Sequence, residues 1–408
     1  MPAPDRRSTS RRPEPGTPAA GRLLVGTAIV LLALNLRVAV GSVGVVLDAL
    51  RDDLGMSAAV AGVLTTLPVL CFAAFGSTSH GLVRGIGLHR TTFLLLVVTA
   101  AGLVLRAVVE SSAAFLVLSV AALAGSAVGN ILLPVLAKTH FPDRLPTISA
   151  LYGAALMTGA ALGSVVTVPV ADAFGDWRYG VGAWALLAAV TALPWLAFVG
   201  HDVHVDPEGD RMSMRAVVRS PFAWAFALCF GAQSAQAYAQ FGWFPAILHD
   251  AGLSSAHAGA MQGLLSAVGI PVTLALPALI AWAGSRPILP WLFALVTAVG
   301  WAGVLLAPTA AAWAWAVLLG VGGCAFTWTL TMISRRTRSP DGTAALSAFA
   351  QGLGYVVAAA GPLGTGLLHD ATGSWTVPVL VLLVASMFIG IFGTVVNRDV
   401  FLEDELER

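Results

Sequence analysis

The chain has 408 residues, 57% hydrophobic and 11% charged, with mean hydropathy +0.84 and a formal net charge of +1. Soluble domains carry about 25% charged residues, so this composition excludes a soluble globular protein and indicates an all-α membrane protein with many spans. The three cysteines, Cys71, Cys229 and Cys324, fall inside apolar runs, which argues against a disulfide framework.

Residues 1–20 are polar and rich in Pro and Arg, and are expected to form a disordered cytoplasmic tail. The apolar run from Leu23 to Leu47 follows. It is too long for a signal-peptide core and lacks a convincing cleavage site, so it reads as the first membrane span. Asn35 and Arg37 interrupt it. At about 1.5 Å of rise per residue, Arg37 lies roughly 21 Å from the Arg22 end and roughly 15 Å from Leu47. That is mid-bilayer. An arginine there costs roughly 2.5–3.5 kcal/mol on insertion scales, and such residues usually face a bundle interior or an aqueous cavity. The ordinary alternative is a structural arginine satisfied by backbone carbonyls.

Five more spans are expected at about 57–81, 91–109, 112–137, 147–170 and 180–199. The stretch 201–219 holds Asp202, Asp206, Glu208, Asp210, Arg211, Arg215 and Arg219, and reads as a cytoplasmic linker. A second set of six is expected at about 221–247, 255–283, 288–307, 310–333, 343–368 and 375–396. The chain thus divides into a tail (1–20), a six-helix bundle (21–200), the linker (201–219), a second bundle (220–397) and a short tail (398–408).

Positive charge orients these spans. With both termini in the cytoplasm, 18 of the 22 basic residues fall on the cytoplasmic side, against Arg51, Arg106 and Arg178 on the other, with Arg37 between. That bias obeys the positive-inside rule. An internal repeat divides the chain at the same place. D-L-G-M-S-A-A-V-A-G at 53–62 aligns with D-A-G-L-S-S-A-H-A-G at 250–259, an offset of 197. D-A-F-G-D-W at 172–177 matches D-A-T-G-S-W at 370–375, an offset of 198. Because the repeated loops fall on one side of the membrane, the halves are parallel repeats. This organisation resembles the major facilitator fold, twelve transmembrane helices in two parallel six-helix repeats, which implies a solute site near the midplane between the halves.

Several polar residues fall at the depth of Arg37. Counted from the cytoplasmic ends, Asn35 lies at roughly 18 Å, Gln233 and Gln236 at roughly 18 and 22 Å, and Tyr355 at roughly 18 Å. Gln233, Gln236 and Gln240 make a stripe by i, i+3, i+7 spacing, and Gln351 shares a face with Tyr355 by i, i+4. These six, Asn35, Arg37, Gln233, Gln236, Gln351 and Tyr355, are the candidate substrate-binding residues, with Gln240 a weaker pathway candidate. Interhelical hydrogen bonding, worth about 1 kcal/mol in membranes, is the alternative for each glutamine. Asn130 and Thr327, at roughly 10 Å by the same rise, are weaker candidates for lining the inner path. Gly125 with Gly129 and Gly159 with Gly163 read as helix-packing contacts, and Gly361-Pro362 as a bend.

All 21 acids fall in loops, tails or span ends. Arg37 therefore has no internal counter-ion, and an anionic or electron-rich ligand is its natural partner. No deep carboxylate is present to carry a proton. His80 and His257, near span ends, are candidates for coupling, with structural roles as the alternative. No phosphate-binding loop, metal-ligand spacing or nucleophile-base constellation is present, so no enzyme activity, cofactor or metal is expected. Topology accounts for the basic tail without a nucleic-acid partner; membrane lipid is the expected surrounding.

N-L-R at 35–37, S-V-G at 42–44, G-M-S at 55–57, L-T-T-L-P-V at 64–69, L-L-P-V-L-A-K at 132–138, A-L-M-T-G-A-A-L-G at 155–163 and F-A-Q-G-L-G-Y at 349–355 resemble one branch of this superfamily. It is the cyanate and nitroimidazole transporter family, CynX/NimT. Val38 stands where that family tends to have proline after N-x-R. The resemblance implies alternating-access carriage of a small anionic or electron-rich solute, cyanate-like, across a bacterial plasma membrane, by secondary active or facilitative transport, with a coupling proton as a further candidate partner. Efflux of neutral nitroimidazole-like or drug-like compounds is the alternative, for which Trp243 and Trp328 offer aromatic walls. A non-transporting receptor that keeps the fold is the alternative of another class.

Overall fold

A computed structural model describes residues 19–76, 79–200 and 214–406 of the chain. Among the described residues the structure is helical, without strands. The first half contains α1 (Ala19–Gly44), α2 (Ala58–Gly76), α3 (Leu88–Ala107), α4 (Ser112–His140), α5 (Leu145–Phe174) and α6, which is broken into Trp177–Gly182 and Trp184–Leu196. The second half contains α7 (Pro221–Asp250), α8 (Ser255–Ala283), α9 (Ile288–Leu306), α10 (Ala312–Gly323 and Ala325–Arg335), α11 (Pro340–Ala358 and Ala360–Thr372) and α12 (Thr376–Val396). Eleven of these twelve are long and apolar enough to cross a membrane; α7 is the other. Its three glutamines lower its hydropathy, and its position removes the need for more. Most of its residues are buried, because α1, α2, α8, α11 and α12 surround it. A helix shielded from lipid on every side can carry amides.

Local chemistry sets the helix starts. Ser220, Ser254 and Ser339 hydroxyls accept the backbone N–H of Ala223, His257 and Gly342 at 3.0, 3.3 and 2.9 Å, capping α7, α8 and α11. Pro221 and Pro340 occupy first-turn positions that need no donor. The run expected to continue to Leu47 ends as a helix at Gly44, and a separate amphipathic helix, Leu47–Leu54, follows. Of the expected linker, residues 201–213 lie outside the described residues, as do 1–18 of the N-terminal tail; Met214–Arg219 forms a short helix.

The internal repeat has a physical basis. Gly175 and Gly373 both end their helices in the left-handed region, at φ 72° and 64°, which glycine adopts without a Cβ clash. Each turn then delivers a tryptophan to the other repeated motif. Trp177 Nε1 donates to Asp53 at 3.2 Å, and Trp375 Nε1 donates to Asp250 at 2.8 Å. The same Trp–Asp bond thus ties the same two loops in each half.

Glycines bring α5 against α1. A Cβ at Gly159 would overlap the carbonyl oxygen of Leu34, and one at Gly163 would lie 2.8 Å from that of Val38. These contacts bracket Arg37 and fix the rotation of α1. Gly125 and Gly129 likewise admit Thr99 and Leu36. The packing expected of both glycine pairs is therefore what they do.

The C-terminal segment, read as a tail, includes a helix, Leu402–Leu406, docked under the second half. Glu403 accepts the backbone N–H of Arg338 and Ser339 at 3.0 and 3.1 Å and the Ser339 hydroxyl at 3.0 Å. Glu405 accepts the Ser220 hydroxyl at 2.9 Å. Burial opposes ionisation of Glu403, but the N–H groups of Glu403 and Ser339, with the Ser339 hydroxyl and the Arg338 N–H, outweigh it and hold the carboxyl below its usual range. A carboxyl with a lowered folded-state pKa adds stability above its unfolded pKa, and that stability is lost as pH falls through the folded value. Glu403→Gln is expected to destabilise the protein by about 1 kcal/mol, the low end for bonds to a charged group at a partly hydrated site. Melting of wild type and variant should differ at pH 7 and converge as the pH falls below the carboxylate range.

Candidate functional site

Arg37 is 6% exposed, on α1, where its side chain meets Tyr238 of α7 in the second half. One terminal nitrogen, Nη1, donates to the Tyr238 hydroxyl at 3.3 Å, while Nε is buried without a partner. Its guanidinium carbon lies 5.8 Å from the Phe72 ring and 5.7 Å from the Phe326 ring. Tyr355 stacks on Phe72 at 5.2 Å and meets Phe230 edge-on at 5.0 Å. Among the described residues no carboxylate is bonded to Arg37. Ring faces replace the counter-ion, each worth about 0.5–2 kcal/mol, and leave guanidinium donors free for a solute.

A cavity of about 70 Å³ adjoins this group between the halves. Arg37 and Met157 line it from the first half. Ser234, Tyr238, Gln240, Phe241, Ser266, Phe326 and Thr327 contribute from the second. One planar cation, hydroxyls and an amide face a small apolar space, which suits a solute of a few heavy atoms with electron-rich ends.

Of the residues singled out from the sequence, Arg37, Gln240 and Thr327 meet at this cavity. Tyr355 stands behind it, against Phe72. The others are directed elsewhere. Gln236 is bonded at both ends within the second half: its amide donates to the Leu382 carbonyl at 2.7 Å, and its oxygen accepts Trp301 Nε1 at 2.7 Å. Gln233 donates to the Phe230 carbonyl at 3.1 Å and the Ser234 hydroxyl at 2.6 Å, leaving its own oxygen unpaired. Gln351 bonds Ser347 on its own helix at 2.6 Å, and Asn130 bonds the Ser126 carbonyl at 3.3 Å. Asn35 is buried, but lies two residues from Arg37, on nearly the opposite side of the helix, and does not line the cavity. Trp243 donates to the Pro362 carbonyl at 2.9 Å, and Trp328 is enclosed in the core of the second half. Neither walls the cavity. His257 pairs locally with Ser254, and the His80 side chain lies outside the described residues.

Sequence reasoning missed Tyr238, Phe72 and Phe326 around the guanidinium. A signal existed for Tyr238: the chain has only four tyrosines, and two of them, Tyr238 and Tyr355, are close to Arg37. Arg106 also needs correction. Counted among the basic residues on the far side of the membrane, it is fully buried on the last turn of α3.

Toward the end of the bundle remote from the termini, a vestibule of about 550 Å³ is lined by Asp48, Asp53, Asp172 and Asp176 with Arg178 and His249. His249 Nδ1 lies 3.3 Å from Asp48. Burial, then the charge of Asp250, holds the Asp48 carboxyl above its usual range.

The chain matches the Major Facilitator Superfamily over residues 23–362. It belongs to that superfamily. It is 34% identical to the 2-nitroimidazole transporter of Escherichia coli (strain K12), over 93% of this chain and 96% of that one. It is 30% identical to the cyanate transport protein CynX of the same organism, over 85% and 90% of the two chains. Its fold matches that of a bacterial homologue of the human lysosomal transporter Spinster, with TM-score 0.76, 16% identity and coverage of 95% and 99%. The chain is thus a membrane transporter of the cyanate/nitroimidazole type rather than an enzyme.

Proposed function

We propose that this protein carries a small anionic or electron-rich solute by alternating access, with Arg37 as its principal ligand. The observation that carries this reading is a mid-span arginine with no carboxylate partner among the described residues, facing a cavity of about 70 Å³ between the halves. A buried cation with free donors is stabilised when an anion or a nitro group enters. Residues 21–200 and 220–397 rock about this point, joined by the 201–219 linker. Both termini face the cytoplasm of a bacterial plasma membrane, the orientation favoured by the basic residues of the loops even with Arg106 withdrawn from them. The two relatives with named solutes support the size class: cyanate and 2-nitroimidazole are both small, with electron-rich ends.

Export of a neutral nitroaromatic is the second reading, and the acid-lined vestibule favours it. Arg178 pairs with Asp53 and Asp176, but carboxylates still outnumber cations at this mouth, a balance that disfavours a free anion and tolerates an uncharged ring. Uptake into proteoliposomes, with and without an imposed pH gradient, separates the readings. Saturable cyanate flux is expected. Flux of 2-nitroimidazole without cyanate selects a neutral solute over an anion, and flux of neither, in folded protein, removes both readings. Stimulation by the gradient would assign coupling to a peripheral group such as the Asp48–His249 pair, since no acid lies at mid-span.

A further inference from the structure

Arg106 is a second arginine buried within a span, and among the described residues nothing neutralises it. It is 0% exposed, and Nε and Nη2 are shielded from solvent without partners. Among the described residues it makes no hydrogen bond and no ion pair; its guanidinium carbon lies 5.8 Å from the Phe115 ring. On the last turn of α3, an arginine can reach headgroups or water by extending along the helix. This one turns inward. The Ser119 hydroxyl of α4 is also 0% exposed and also without a partner. Both side chains line one cavity of about 20 Å³, which crosses the seam to Phe241 and Gly242 of α7. Buried polar groups are almost always satisfied, and an unpaired buried charge is strongly unfavourable. Two unpaired donors converging on one space define a site for an acceptor that comes and goes.

The position of this space relative to Arg37 gives it a role. Phe241 lines both cavities. Arg37 reaches one of them from α1, and Val40, Val43 and Gly44 of the same helix wall the other, roughly 5–10 Å further toward the end remote from the termini. We propose that Arg106 and Ser119 form a second binding station for a small anion, on the outer side of Arg37, and that the Phe241 ring divides the two. The role in transport rests on the function proposed above; binding at Arg106 does not. At about 20 Å³ the space admits a single water, so the station takes its anion when the outer ends of the helices part. An anion passing the acidic vestibule then meets Arg106 before Arg37, and the donors it leaves behind on passing Phe241 are matched by those ahead.

Two measurements on the full-length protein test this. The first is melting of purified protein in potassium nitrate, against potassium gluconate at equal ionic strength. Nitrate at ten times its dissociation constant stabilises by about 1.4 kcal/mol, which should raise the melting temperature of a chain of this length by about 1–2 °C. A nitrate-dependent rise should survive in Arg37→Ala and vanish in the Arg37→Ala/Arg106→Met double variant. Methionine keeps the length and apolar stem of the side chain and removes an unpaired charge, so the fold is expected to persist. The second is half-saturation for cyanate, measured separately from the outer and inner faces in oriented proteoliposomes. Arg106→Met should raise it about tenfold from the outer face and leave the inner face unchanged, Arg106→Lys should restore part of the loss, and Ser119→Ala should raise the outer value about threefold. A nitrate response that disappears with Arg37 alone overturns the second station. So does an Arg106→Met protein that melts normally and shows equal half-saturation shifts on both faces, or none. Loss of cyanate transport in all forms, with the nitrate pattern intact, would remove the transport reading and leave the site.

Discussion

Arg37→Ala is expected to lower affinity for a small anion by roughly 30- to 150-fold, a loss of about 2–3 kcal/mol. Unit charges about 4 Å apart attract by about 4 kcal/mol at an effective dielectric of 20, and water in the cavity reduces that. Insertion and folding should survive, because the substitution removes a charge whose only hydrogen-bond partner among the described residues is the Tyr238 hydroxyl. Arg37→Lys should be intermediate: the charge remains, but the planar fork that grips two oxygens is lost. The neighbours sharpen the test. Gln240→Ala and Thr327→Ala, on the cavity wall, should each weaken binding by about 1 kcal/mol. Gln236→Ala should leave affinity nearly unchanged and lower the melting temperature, since it strips a partner from Trp301 Nε1 and from the Leu382 carbonyl. Affinity and melting are measured on the same purified preparations. Normal binding by a folded Arg37→Ala protein would show that the arginine is structural.

That contrast between Gln240 and Gln236 marks where the sequence becomes illegible. Arg37 was legible because one charge inside an apolar run is a signal that depth alone interprets. The glutamine stripe was legible as a stripe, but its direction was not. On a helix half-exposed to lipid, polar spacing points to the protein interior; α7 is enclosed on all sides, so each polar residue faces a different neighbour. Gln236 therefore joins α9 and α12, while Gln240 meets the cavity. Arg106 escaped for another reason. Within a turn of a span end, sequence depth does not distinguish an arginine reaching out to water from one folded inward, and only the surrounding helices decide. The fold was easier to read, because span length, loop charge and the repeated motifs all follow from local rules. The repeat divided the chain without saying why its residues recur; the structure adds that Asp53 and Asp250 each hold the tryptophan of the other repeated motif.

Gly44→Ala is expected to hold the outer ends of the two halves apart. A Cβ at Gly44 would overlap the Phe241 carbonyl oxygen, and real Cβ contacts below 3.0 Å essentially do not occur, so one backbone must withdraw. The same closure is reinforced nearby. A Cβ at Gly366 would lie 2.7 Å from the Ala58 carbonyl oxygen, and the Asp370 carboxylate accepts the N–H of Ala58 and Ala59 at 3.1 and 2.7 Å, capping α2 from the opposite half. Asp172, its counterpart in the repeat, instead lines the vestibule, so one side of the seam is latched while the other leaves space. A steric conflict of about 1–3 kcal/mol at Gly44 moves a two-state equilibrium roughly 5- to 150-fold toward the form with separated outer ends. Asp370→Ala, which removes a charged cap without adding bulk, should move it the same way by about 1–2 kcal/mol. The reporter is Thr65→Cys, 7% exposed and packed against Gly242 across the seam, in a background lacking the three native cysteines. Its labelling by a hydrophilic maleimide should accelerate most with Gly44→Ala, less with Asp370→Ala, and not at all with Gly85→Ala, where a Cβ meets open space. Transport should slow in the first two, because each cycle must pass through the closure they oppose. Unchanged labelling and unchanged turnover in Gly44→Ala would mean that the close approach of α1 to α7 is not part of the transport cycle.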